Sequence, residues 1–241
     1  EFQTGVHVYE PKAFDPFQRA KIKNVWGFFD YGLSAPTCLQ LVATDGDSYS
    51  YFFREYYGAN RSISEHAAQM KTMIAEAEAA GSFKLEGIMA DPHCFVKDTR
   101  DRKVTTTSIA EEYGLEGIYL IRADNNEDTS IEKINEALKV DSGRTHPVTL
   151  KQGSPRVFFS SECRNAIEQI QMQRWSKQRN PLTGENEWVG ERDDTVRDHA
   201  YDLVRYWANS KVDYPTYTGP IKTPRYGTHI EKQIVRATVN A

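Results

Sequence analysis

Asp198, His199 and Asp202 fall inside the stretch RDHAYDLVRYWA, from Arg197 to Ala208. Read as a helix, this stretch brings the three side chains within about 100° of arc, because residues three and four apart share a face. The opposite face carries Val196, Ala200, Leu203, Val204 and Trp207, an apolar stripe at helical spacing. One side therefore packs, while the other offers two carboxylates and an imidazole to a common point. Two facing carboxylates repel unless a cation or shifted protons compensate them. A solvated acidic face on an amphipathic helix has the same pattern, so the balance turns on acids elsewhere in the chain.

Two more aspartates end apolar strands. Val25 to Phe29 is an aromatic, apolar run that Asp30 follows directly, and Gly32 lets the chain turn. Strand-like runs at Thr37 to Thr44 and Ser48 to Glu55 come next, joined by the turn signal Asp45-Gly46-Asp47, so three consecutive strands form an antiparallel meander. A helix is expected over Ser64 to Ala80, with Met70, Met73, Ile74 and Ala77 inward and Gly81 as its stop. Leu85 to Ala90 then reads as a strand ending in Asp91-Pro92, where proline cannot continue a ladder.

A three-strand meander ending its first strand in an acid, a helix, a strand ending in an acid and a late acidic helix is the order of the RNase H-like fold. The expectation is an α/β mixed sheet, antiparallel first and then parallel, flanked by helices. Its chemistry needs that order. Two divalent ions roughly 3.5–4 Å apart clamp the attacking and leaving oxygens of a phosphodiester, and hard Mg²⁺ prefers carboxylate oxygens held on rigid elements.

The chain resembles the nuclease domain of the large terminase subunit of tailed bacteriophages. The resemblance spans roughly residues 24–210 and rests on DYG at Asp30, ADP at Asp91 and DHAYDLVRY from Asp198 to Tyr206, with the strand–helix SPRVFFSSECRNAIEQIQMQRW between. It implies a metal-dependent endonuclease that cuts double-stranded viral DNA during genome packaging, using Mg²⁺ or Mn²⁺, two ions in all. By position the family's metal-binding acids fall on Asp30, Asp91, Asp198 and Asp202. Many relatives carry a second Asp where this chain has His199, which makes His199 a candidate ligand or a positioned acid/base. The implied partners are a terminase ATPase domain, a small terminase subunit and the portal, in the cytoplasm of an infected bacterium. Full-length members begin with an ATPase, yet no G-x-x-x-x-G-K-[ST] phosphate loop occurs here, so that unit was cut away or sits in another chain.

Composition fits one enzyme domain of 241 residues, and no apolar run approaches the ~18 residues of a membrane helix. The first twenty residues lack the apolar core of a signal peptide. Cys38, Cys94 and Cys163 have no metal spacing and fit a reducing interior. The net charge of −4 is unlike the basic balance of a strong DNA binder and implies weak affinity in isolation. Local basic clusters supply candidate phosphate contacts at Lys97, Arg100 and Lys103, after Asp91, and at Arg174 and Lys177. Solvated loops show such runs too.

The rest reads as a proline-punctuated, linker-like lead-in over 1–23 and a tail over 211–241 rich in Pro, Tyr, Thr and Lys. Between them come short helices at Thr107 to Tyr113 and Ser130 to Val140, a strand at Ile118 to Arg122, a turn-rich stretch from Asp141 to Gly153 and a strand at Arg156 to Ser160. Trp175 to Glu191 is expected to be a hairpin beside the site, either an ordinary surface hairpin or a lid over DNA. Asp193 and Asp194 are expected to cap the late helix, unless one joins the acidic cluster, and Tyr31 and Tyr206 to pack beside the site. Two other function classes stay open. An actin-like phosphate-binding ATPase also ends its first strand in Asp near Gly, but its second glycine-rich phosphate turn is absent. A catalytically silent docking module would have lost one of the acids.

Overall fold

The computed structural model describes residues 2–32, 35–97, 107–179, 186–193 and 195–210, with the backbone alone at 175–179 and 186–191. Arg100, Lys103, Asp194 and the expected tail lie outside them.

The lead-in carries structure of its own: helix α1 (Thr4–His7), strand β1 (Val8–Tyr9) and helix α2 (Pro16–Arg19). Asp15 caps α2, its Oδ1 accepting from Phe17 N at 3.0 Å, and Pro16 occupies the first helical position where a missing N–H costs nothing. Tyr9 and Phe14 are buried, and Phe17 stacks on Phe83. Aromatic burial, invisible in a proline-punctuated sequence, ties this stretch to the sheet.

The meander follows as expected: β2 (Ile22–Asp30), β3 (Thr37–Asp45) and β4 (Ser50–Gly58). Asp45 organises the second turn, its Oδ1 accepting from the amides of Asp47 and Tyr49 and its Oδ2 from Tyr51 Oη. Gly32 is required after Asp30, because a Cβ there would lie 2.3 Å from the Ala35 carbonyl oxygen. Helix α3 (Ile63–Gly81) opens with a capping box between Ser62 and Glu65. It ends one residue later than expected, at left-handed Ser82 (φ 52°). Gly81 serves close approach instead of the turn, since a Cβ there would stand 2.6 Å from the Phe83 ring.

Strand β5 (Ile88–Ala90) is shorter than the apolar run suggested, and a 3₁₀ turn at Pro92–Phe95 follows. Then come α4 (Ile109–Leu115), β6 (Leu120–Arg122), α5 (Glu127–Leu138), and a small hairpin of β7 (Asp141–Thr145) and β8 (Gln152–Ser154) where turns alone were expected. Asn126 caps α5 by accepting from Thr129 N, which starts the helix three residues ahead of Ser130. The chain closes with β9 (Val157–Ser160), α6 (Arg164–Met172), the hairpin β10 (Trp175–Arg179) and β11 (Asn186–Arg192), and α7 (His199–Asn209).

Seven strands form one sheet in the order β1-β9-β4-β3-β2-β5-β6, with β3 alone antiparallel to its neighbours. Helices cover both faces. Phe28, Val42, Phe52 and Phe159 pack with Ile134, Leu138, Leu203, Val204 and Trp207 of α5 and α7. Phe29, Leu39, Leu41 and Ile88 pack with Ala67, Met70 and Tyr113 of α3 and α4. Burial on both faces is why the central strands read as continuous apolar runs, with all nine residues of β3 buried. Among the described residues no helix is long and apolar enough to cross a membrane.

Candidate active site

Asp30 ends β2 and Asp91 follows the last residue of β5. Those strands are parallel neighbours with Phe29 opposite Ala90, and Asp91 N donates to Phe29 O at 3.1 Å, so the two carboxylates leave the sheet side by side. They line one cleft of about 300 Å³ with Tyr31, His93, Cys94 and Ile109. Asp91 Oδ1 faces His93 Nδ1 at 2.9 Å, and its Oδ2 accepts from Tyr206 Oη. Burial pushes the Cys94 thiol up to about 12, with Asp30 and Asp91 adding to the shift.

Helix α7 supplies the other groups. Its apolar face is buried as expected, at Ala200, Leu203, Val204 and Trp207. His199 Nδ1 lies 3.0 Å from Asp30 Oδ2. Asp198 is the residue before the helix instead of part of its first turn, with φ −139° and ψ −10°. The expected acidic face is therefore split: His199 and Asp202 are helical, and Asp198 reaches the same region from the flank. Asp193 does not cap this helix. It accepts from Thr195 N and Oγ1 and from Arg174 Nε, bonds that hold its carboxyl at about 2.

Two arginines stand among these acids. Arg205 Nη1 lies 2.8 Å from Asp202 Oδ1, while its Nη2 donates to Asn125 O. Arg192, from the end of β11, lies 3.1 Å from Asp198 Oδ2 and 3.7 Å from Asp202 Oδ1, with its Nε on Glu127. These cations do not fully offset burial. Desolvation pushes the Asp202 carboxyl up to about 6 against the pull of Arg205, and Asp198 adds repulsion. Burial likewise raises Asp30, opposed by the bond from His199 and reinforced by Asp91 and Asp198. His199 is raised in turn, chiefly by its bond to Asp30.

No protein-family sequence profile and no curated protein matches the chain. Solved structures do. The large terminase of a thermophilic bacteriophage, in complex with ADP, superposes at TM-score 0.56 and 18% identity, covering 87% of this chain. The P22 large terminase nuclease domain gives 0.52 and 14%, covering 87% of this chain and 89% of that one. The nuclease domain of SPP1 g2p, a large terminase solved with bound Mn, gives 0.50 and 15%, covering 83% and 93%. The fold is that of a phage large-terminase nuclease domain. The chain spans 43% of the thermophilic phage's terminase.

On this terminase nuclease fold the sequence-predicted acids gather at one end of the sheet, but as two groups. Asp30, Asp91 and His199 are joined by hydrogen bonds and the cleft, and Asp198 and Asp202 by Arg192. Among the described residues no three Asp, Glu, His or Cys side chains converge closely enough to form a ready-made metal cage. The donor set nonetheless fits a hard divalent cation: carboxylate oxygens on rigid element ends, with two carboxyls raised by incompletely compensated burial. Of the expected phosphate contacts, Lys97 is ion-paired to Glu111 at 3.2 Å and Arg174 to Asp193 at 2.8 Å. The Lys177 side chain lies outside the described residues. Sequence reasoning missed Arg192, Arg205 and the bond from Tyr206. The spacing of Asp202, Arg205 and Tyr206, three and four residues apart on one helix, was a usable signal for two of them.

Proposed function

We propose that this chain is a divalent-metal-dependent endonuclease acting on double-stranded DNA during viral genome packaging. The observation that carries the reading is the pairing of Asp30 and Asp91 at adjacent strand ends over one cleft, with Asp198, His199 and Asp202 brought up by α7. The fold shared with terminase nuclease domains supports it, and so does the Mn bound in the SPP1 structure. The packaging ATPase, small subunit and portal are then its partners, in the cytoplasm of the infected host.

Asp30, Asp91, Asp198 and Asp202 would hold Mg²⁺ or Mn²⁺, with His199 as a further ligand or a positioned acid/base. Bound there, the metal would stabilise charge on the scissile phosphate and acidify a water. His199 turns Nδ1 to Asp30, which leaves Nε2 to take or hold a proton near the cleft. Tyr206 orients the Asp91 carboxylate through Oδ2.

Plasmid cleavage tests the reading. Nicking and linearisation are expected with Mn²⁺ or Mg²⁺ and not with chelator, and Asp30→Ala or Asp91→Ala should bring cutting to background while leaving the fold intact. Millimolar Mn²⁺ should also raise the wild-type melting temperature, because folded carboxylates bind it and the unfolded chain does not. Cutting by either variant at the wild-type rate would overturn the assignment.

A further inference from the structure

Aspartate before a helix usually caps it, its carboxylate accepting from the amides two and three residues on. Asp198 does not. Its side chain makes no cap bond, and its Oδ2 faces Arg192 instead. The two amides that it forgoes are still satisfied. Ala200 N and Tyr201 N both donate to Oε1 of Gln169, at 2.7 and 3.2 Å, across from α6.

Gln169 is built for this. It is 2% exposed, and its Nε2 donates to Tyr57 Oη at 3.1 Å, so the amide is fixed at both ends, oxygen toward two donors and nitrogen toward a hydroxyl. The helix that carries it is pinned as well. Glu55 of β4 accepts from the amides of Asn165 and Ala166, and also from Gln40 Nε2, which in turn donates to Ala200 O. A chain of buried and half-buried polar groups thus runs from β4 and β3 through α6 to the start of α7.

We propose that Gln169 is a positioning residue that caps α7 in place of Asp198, and so leaves the Asp198 carboxylate turned to the acidic cluster. Without Gln169, two orphaned amides at a positive helix end would draw in the adjacent carboxylate, a charge-assisted bond stronger than a neutral one. The inference rests on the metal-binding reading above, in which Asp198 is a ligand.

The test is a four-protein cycle of wild type, Gln169→Met, Asp198→Ala and the double variant, melted in chelator and then titrated with Mn²⁺. Methionine keeps the length of the side chain and removes the acceptor. In the wild-type background Asp198→Ala removes no cap bond and should shift the melting temperature little. In the Gln169→Met background it should lower it by a further ~2–4 °C, the cost of a missing cap in a domain of this size. Gln169→Met should also raise the Mn²⁺ concentration that half-saturates the melting shift by about tenfold. Gln169→Glu keeps the acceptor and should leave that midpoint near the wild type, with Asp198→Ala nearly neutral in it, while Gln169→Ala, which also removes the acceptor, is the second background if Gln169→Met does not fold: there Asp198→Ala should again cost a further ~2–4 °C. An equal cost of Asp198→Ala with and without the Gln169 acceptor overturns the proposal. A wild type that binds no Mn²⁺ overturns the metal reading, while the metal-free cycle still decides who caps the helix.

Discussion

His199 Nδ1 stands 3.0 Å from Oδ2 of Asp30, joining the first turn of α7 to the end of β2. The pair is half-screened from water, and each partner is raised. The imidazolium is favoured by the carboxylate beside it, while the carboxyl is raised because burial outweighs the help from the imidazole. The bond therefore ties the first turn of the helix to the strand end that lines the cleft.

Replacing Asp30 by Asn should lower the pH at which the His199 imidazole titrates. The bond to Asp30 is the largest cause of the raised His199 pKa, and the opposing effect of burial remains when the carboxylate is gone. The imidazole of Asp30→Asn should titrate below the wild-type midpoint, as read by NMR of the ring protons in chelator. An unchanged midpoint would mean that the 3.0 Å contact carries no charge coupling.

Asp202 makes a prediction about stability. Its carboxyl sits at about 6 in the fold against an ordinary 3.8. Over that window the folded protein binds its proton more tightly than the unfolded chain does, so stability is highest with the group protonated and falls as pH rises from about 4 through 6. The loss is at most about 3 kcal/mol. Asp202→Asn removes the titration and leaves Arg205 an amide oxygen. Its melting temperature should exceed that of the wild type at pH 7 and converge with it near pH 4. A wild-type curve that stays flat over the same interval would sink the argument.

Tyr206 Oη donates to Asp91 Oδ2 and is buried, with the hydroxyl pushed far up by that burial, so it is a neutral donor at every accessible pH. Tyr206→Phe keeps the packing and removes the donor to a charged group, a loss of about 1.5–3 kcal/mol in stability. Cleavage should fall about tenfold with a rise in the metal midpoint, since an outer partner of a ligand orients it. Asp91→Ala should do much more damage. Equal effects of the two changes would place Tyr206 in a role of its own.

The central sheet could be read from the chain because its strands are buried on both faces and so appear as apolar runs ended by acids. Asp30, Asp91 and the acidic helix stand out in the sequence for the same reason: they interrupt apolar patterns at their ends. What escaped was set by contacts distant in sequence. Arg192 meets Asp198 and Asp202 from the end of a hairpin, and Gln169 caps α7 from another helix, so neither has a local signature. Asp193 was expected at the helix start because a carboxylate near an N-terminus usually caps it. A tighter local alternative, the turn to Thr195 and the bond from Arg174, won instead. The two-residue strand β1 lies below the length at which alternation can be seen.

DNA binding should depend on the basic stretch of sequence after Asp91 more than on Lys97. Lys97 is already ion-paired to Glu111, so engaging a phosphate means giving up that partner, and Lys97→Ala should change affinity little. On the proposed reading the phosphate contacts then fall to Arg100 and Lys103. Reversing both should lower the slope of log affinity against log salt by up to about 1.8, at roughly 0.9 for each phosphate that is no longer neutralised. Metal-induced melting shifts should be untouched, because neither side chain is among the proposed ligands. Filter binding of a duplex across a salt series measures the slope directly. If the double reversal binds and cuts as the parent does at every salt concentration, Arg100 and Lys103 do not meet DNA, and the path must be sought toward α7 and the hairpin that carries Arg174 and Lys177.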